Sequence, residues 1–194
     1  MDTSDPGKLQ RVKVLGFAGS LRKGSYNRAL LRAAVELTPP DVELTTFELD
    51  GIPPFNADFE RTPPDPTKEF KSRIRPADAL LIVTPECNYS IPGVLKNAID
   101  AASRPYGDSA FEGKPVAIMS ASIGMLGGAR AQYHLRQSFV FLNMFPVNRP
   151  EVMVTFAPQK FDDQGRLLDD KTRELIKELL SSLAAWTRRL KAGG

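Results

Sequence analysis

The stretch Gly19-Ser20-Leu21-Arg22-Lys23-Gly24-Ser25-Tyr26-Asn27 combines glycines, hydroxyls, an amide and two cations, a mixture suited to holding a phosphate. Glycine lets a backbone bend around an anion, Ser20, Ser25 and Asn27 offer neutral donors, and the Arg22 guanidinium offers a charged fork. A helix that begins here would add unpaired N–H groups and the positive end of its dipole. The interval from Gly19 to Gly24 has the glycine spacing of a Walker loop, but Ser25 and Tyr26 stand where that motif needs Lys and Ser/Thr. A magnesium-dependent nucleoside triphosphate site is thereby disfavoured. The absence of G-x-G-x-x-G from this loop removes the main signature of a Rossmann dinucleotide site. The plain alternative is a Ser/Asn-capped turn that binds nothing.

Two further stretches have unusual composition. Pro85-Glu86-Cys87-Asn88-Tyr89-Ser90-Ile91-Pro92-Gly93 is a polar loop stiffened by proline at both ends, able to present backbone groups to the polar edge of a planar ligand. Ser120-Ala121-Ser122-Ile123-Gly124-Met125-Leu126-Gly127-Gly128-Ala129-Arg130-Ala131-Gln132 offers a second flexible wall, whose glycines permit close approach of backbone to ligand.

These loops need elements to position them. Apolar runs predict strands over residues 12–18, 42–49, 79–84, 115–120 and 146–154, and helical spacing predicts helices over 27–37, 66–75, 92–102, 129–142 and 171–190. The Pro-rich residues 50–64 read as an extended surface loop, and residues 1–10 as a flexible leader before a single domain over 11–194. Strands alternating with helices require crossovers and hence a parallel sheet covered on both faces, an α/β fold of three layers. Five strands suggest the flavodoxin-like order, in which ligands sit beyond the carboxyl ends of the strands where strand order reverses. The unusual loops follow strands one, three and four.

The strings GSLRKGSYN, PECNYSIPGVLKNAID and SASIGMLGGARAQYHLRQ resemble the NADPH-dependent FMN reductase family, which includes quinone, azo-dye and chromate reductases. The resemblance extends over residues 12–183. It implies an FMN cofactor, NADPH or NADH as electron donor, and ping-pong hydride transfer to a small acceptor such as a quinone or free flavin. It places Ser20, Arg22, Ser25 and Asn27, with Tyr26 beside them, at the FMN phosphate. Pro85, Glu86, Cys87, Asn88 and Tyr89 would line the isoalloxazine, chiefly through backbone groups, with Ser120, Ser122 and Gly124 on the other wall. It also implies a homodimer or homotetramer. Two positions depart from the family pattern, which often has tyrosine at Cys87 and tryptophan near Ala101. The competing reading is a non-enzymatic flavin-binding electron carrier, since fold alone does not imply catalysis.

The rest of the chain narrows the classes. Its 194 residues carry 26 Lys and Arg against 23 Asp and Glu, a net charge of +3, with no dense basic stripe for nucleic acid. Nothing resembles a signal peptide or membrane span, so a cytoplasmic location is the expectation. One cysteine and one histidine give no metal-ligand spacing. Cys87 reads as a small buried hydrophobe, His134 as a packing or interface residue, Glu86 as a structural hydrogen-bonding group, and Trp186 as helix packing. Arg130 could meet a 2′-phosphate or serve an interface. The apolar residues from Phe139 to Phe145 read as core or subunit contact.

Overall fold

A computed structural model describes residues 10–193. Apart from the exposed Gln10, the expected leader lies outside the described residues. Strands β1 (Val12–Ala18), β3 (Ala79–Val83) and β4 (Pro115–Ala121) are buried almost throughout, as their unbroken apolar runs require of strands covered on both faces. Strand β2 (Val42–Phe47) lies at an edge and exposes Thr45 and Thr46. Among the described residues all pairings between strands are parallel, in the order β2-β1-β3-β4 with β5 (Phe145–Pro146) beyond β4, the flavodoxin-like order expected.

Five helices cover the sheet: α1 (Tyr26–Glu36), α2 (Asp65–Ile74), α3 (Gly93–Ala102), α4 (Ala129–Leu142) and α5 (Asp170–Gly193). Side chains alternate across the sheet, as the period of two in a strand dictates. Leu81 and Val83 pack with Leu30 of α1 and Leu180 of α5, whereas Leu80 and Ile82 pack with Phe70 of α2, Leu95 of α3 and Phe139 of α4. Phe70 anchors the second face, with Phe17 edge-on at 5.2 Å and Phe47 stacked at 5.0 Å between centroids.

The fifth strand departs from expectation. The single strand read over residues 146–154 is two short ones, β5 (Phe145–Pro146) beside the start of β4 and β6 (Val152–Val154) beside its end. Residues 148–151, Asn-Arg-Pro-Glu, separate them. They are polar, and a proline offers no ladder donor. Strand β2 likewise stops at Phe47 rather than residue 49. The proline-rich segment 50–64 contains a short 3-10 turn, Ala57–Phe59, and is fastened to α3 by Asn97. The amide of Asn97 accepts from Phe55 N–H at 2.7 Å and donates to Pro53 C=O at 2.9 Å. The apolar stretch at the end of α4 divides: Phe139, Leu142 and Met144 are core, while Val140 and Phe141 face outward.

Candidate functional site

The carboxyl ends of β1, β3 and β4 bring the three unusual loops together. The loop after β1 starts with Gly19 N–H donating to Val83 C=O at 2.8 Å and closes with Ser25 N–H donating to Arg22 C=O at 3.0 Å. A Cβ on Gly19 would meet Leu95 Cβ at 3.1 Å and Thr84 Oγ1 at 3.3 Å, so glycine allows this loop to lie directly against the one after β3. Ser25 caps α1, its Oγ accepting from Asn27 N–H at 3.2 Å. Among the described residues, no acceptor takes the N–H groups of residues 20–24. Arg22 is exposed, and no carboxylate among the described residues pairs with it. A helix N-terminus preceded by free backbone donors and an exposed guanidinium fits a phosphate group.

Asn27 has other partners. It is 3% exposed, and its side chain donates to Ala121 C=O and accepts from Ala121 N–H, both at 2.9 Å. The asparagine read as an anion donor thus clamps the start of α1 to the end of β4. Tyr26 turns its ring toward the core, 5.5 Å from Phe161. Ser20 remains half-exposed at the mouth of the loop.

The loop after β3 is a tight hairpin. Cys87 and Ser90 exchange N–H to C=O hydrogen bonds at 2.9 Å, with Asn88 and Tyr89 between them at φ 48° and 67°. Both central residues are in the left-handed region, as in a type I′ turn. Thr84 Oγ1 donates to Pro85 C=O at 2.9 Å and fixes the entry. Cys87 is exposed; the expectation of a buried thiol is wrong, because the residue sits at the foot of a turn with no core beside it. Glu86, placed as a structural group, pairs with Arg130 of α4. The Arg130 pKa is raised, chiefly by that hydrogen bond. Its guanidinium also lies over the Tyr89 ring, 3.6 Å from the centroid. His134 Nδ1 is 2.9 Å from Ser90 Oγ, joining the same helix to the same loop.

The loop after β4 is internally locked. Ser120 Oγ donates to Gly127 C=O at 2.6 Å and accepts from Gln132 Nε2 at 2.8 Å, while Gln132 also donates to Val152 C=O at 2.9 Å. Gly127 and Gly128 have φ 59° and 87°, and a Cβ on Gly128 would lie 2.7 Å from Ser120 Cβ. Ser122 Oγ accepts from Gly124 N–H at 3.1 Å, and Gly124 C=O accepts from Phe156 N–H at 3.2 Å. Ile123 and Met125 stand exposed on the rim. The sequence reading has Gln132 only as the end of the flexible wall and gives it no buried role. The available signal was a polar residue on the buried stripe of α4, between Ala131 and Leu135.

Among the described residues no cluster of His, Cys, Asp and Glu has the arrangement of a metal site, and no helix is long and apolar enough to cross a membrane.

Known proteins agree with this geometry. The chain is 55% identical over 181 residues to an NAD(P)H-dependent FMN reductase of Pseudomonas aeruginosa, covering 93% of this chain and 97% of that one. It is 47% identical over 184 residues to a quinone reductase of Pseudomonas putida, covering 94% and 98%. Among solved structures it is similar to FerB, a flavoenzyme NAD(P)H:(acceptor) oxidoreductase from Paracoccus denitrificans, with a TM-score of 0.84, 31% identity, and 92% and 98% of the two chains covered. Residues 12–159 match the family described as NADPH-dependent FMN reductase, and with a sheet of flavodoxin-like order carrying these loops the chain belongs to that family of oxidoreductases.

Proposed function

We propose that the protein is an FMN-dependent NAD(P)H oxidoreductase that passes electrons to small acceptors, quinones foremost, by a ping-pong cycle. The observation that carries this reading is the row of free N–H groups at residues 20–24 before α1, beside a loop after β3 tied to α4 and a loop after β4 locked internally. When bound, FMN supplies the hydride chemistry. The chain's task is to bind, orient and exclude. Residues 20–24, Ser25 Oγ and the Arg22 guanidinium hold the phosphate; Asn27 keeps that loop in register with β4. The backbone of residues 85–89 and of Ser122 and Gly124 flanks the ring, with Ser120 acting beneath as a scaffold. The residues of the loops include no group that must act as a general base, which suits hydride transfer.

A rim carrying Ile123, Met125 and Tyr89, all exposed, favours flat apolar acceptors over hydrated oxyanions, so reduction of chromate is incidental. The exposed Val140 and Phe141 of α4, with Tyr106 edge-on to Phe141 at 6.3 Å, form an apolar patch suited to a second copy of the chain. The assembly is a homodimer or homotetramer, and we place it in the cytoplasm, where reduced nicotinamides are available.

Reconstitution with FMN followed by anaerobic stopped flow tests the reading. The flavin absorbance should bleach with NAD(P)H and return on addition of a small quinone faster than with free FMN. A protein that takes up no FMN, or flavin that stays oxidised in the presence of both nicotinamides, would overturn it. Reduction only through a partner reductase would identify a carrier instead. Light scattering should give the mass of more than one chain.

A further inference from the structure

Arg130, left open by the sequence, is held between two groups, Glu86 and Tyr89. Its Nη2 pairs with Oε1 of Glu86, in a contact whose carboxylate side chain is only 9% exposed and whose guanidinium side chain is 36% exposed. Glu86 Oε2 and Arg130 Nε are both buried and have no hydrogen-bond partner among the described residues, so the pair rests on the one Nη2–Oε1 contact, a charge-assisted bond about twice as strong as a neutral one. The guanidinium face is covered by Tyr89, at 3.6 Å. Tyr89 and Asn88 adopt left-handed backbone, which costs a non-glycine residue about 1–2 kcal/mol and persists only where surroundings enforce it. One helical turn beyond Arg130, His134 meets Ser90 at 2.9 Å. One face of α4 thus grips the hairpin at Glu86, Tyr89 and Ser90.

We infer that Arg130 and Glu86 are positioning residues: their ion pair, capped by Tyr89, sets the separation of the loop after β3 from the start of α4, and it withdraws Arg130 from recognition of the 2′-phosphate of NADPH. The inference rests on the reading of these loops as the walls of the isoalloxazine site. A guanidinium whose charge is already met by a carboxylate only 9% exposed, with an aromatic ring against its face, is spent before a phosphate arrives. Its removal acts through the shape of the ring site, so ligands with and without a phosphate feel it alike. Removal of Glu86 should act in the same way, since each residue works through the other.

Flavin binding by Arg130→Ala, Glu86→Gln, the double variant and Arg130→Lys, read by quenching of riboflavin and FMN fluorescence, tests this, with thermal melts to verify folding. Arg130→Ala and Glu86→Gln should each weaken riboflavin and FMN by the same factor, about tenfold for loss of one charge-assisted pair. The double variant should be no weaker than the worse single one. The ratio of kcat/KM for NADPH to that for NADH should be unchanged. A selective loss with NADPH in Arg130→Ala but not in Glu86→Gln would overturn the inference and assign the arginine to the 2′-phosphate. Additive losses in the double variant, or wild-type riboflavin affinity in both single variants, would also overturn it. If Arg130→Ala does not fold, Glu86→Gln and Arg130→Lys carry the test. Lysine keeps the charge but not the planar face that Tyr89 covers, so Arg130→Lys should still weaken riboflavin binding, and wild-type affinity there would overturn the inference. A wild-type protein that binds no flavin would remove the functional reading itself, whereas a wild type that binds it beside unaffected variants removes only the ion-pair role.

Discussion

The loops after β1 and after β4 both leave a buried strand and both lead into a helix, yet they use their polar groups in opposite ways. After β4, Ser120, Ser122 and Gln132 are directed into the protein, and two left-handed glycines lie against neighbouring residues. After β1, Gly19, Ser25 and Asn27 fasten the ends and the Leu21 carbonyl accepts from Arg28 at 3.4 Å, while the N–H groups of residues 20–24 have no acceptor among the described residues and the cations Arg22 and Lys23 are exposed. Similar residue types thus serve as scaffold in one loop and leave open donors in the other. What separates them is whether their donors already have acceptors. A loop can recognise an anion only with donors that the fold has left free.

The contrast is sharpest at its glycines. Gly128→Ala adds a Cβ 2.7 Å from Ser120 Cβ at φ 87°. It should lower stability by about 3 kcal/mol, seen as a fall of about 10 °C in Tm by thermal unfolding. Next in size is Asn27→Ala, which leaves both Ala121 N–H and Ala121 C=O buried without their partner. A loss of about 2–3 kcal/mol in chemical denaturation, with weaker binding of riboflavin as well as FMN, is expected. Arg22→Ala probes the open loop. FMN binding, measured by calorimetry, should weaken by about 1.5–3 kcal/mol while riboflavin binding and Tm barely change. Equal losses for the two ligands would show that the arginine acts through folding. Smallest is Gly24→Ala, whose added Cβ finds nothing closer than Arg22 Nη1 at 3.8 Å. Stability should move by less than about 0.5 kcal/mol, and a change as large as that of Gly128→Ala would break the comparison.

Most of the fold was legible because β1, β3 and β4 are uninterrupted apolar runs and the helices between them keep their period. The fifth strand was not. Val147, Val152 and Val154 are all buried, so periodicity alone joins them, and only backbone hydrogen bonding shows that residues 148–151 break the ladder. The loop after β1 drew notice for its residue types, and the structure adds that the N–H groups of residues 20–24 have no acceptor among the described residues. The role of Asn27 was not legible, because its partner lies 94 positions away. Glu86 and Arg130 met the same obstacle: each is unremarkable in its own segment, and the pair exists only because β3 and β4 are neighbours. Cys87 was misread because hydrophobicity suggests burial while the turn it belongs to projects beyond the sheet.

The divided fifth strand has a consequence for how the chain behaves in a crowded solution. An edge strand exposes a row of backbone groups on which another chain can grow by adding a strand, the first step toward indefinite aggregation. Here Phe145 and Val147 both direct their N–H groups inward, to Lys114 and Val116, so the residue between them faces away from the sheet. That residue is Pro146, which has no N–H to offer, and the ladder is broken again four residues later by Pro150 before β6 resumes. Such an edge cannot template a continuous strand, so on this side the sheet is closed to growth from one copy of the chain to the next.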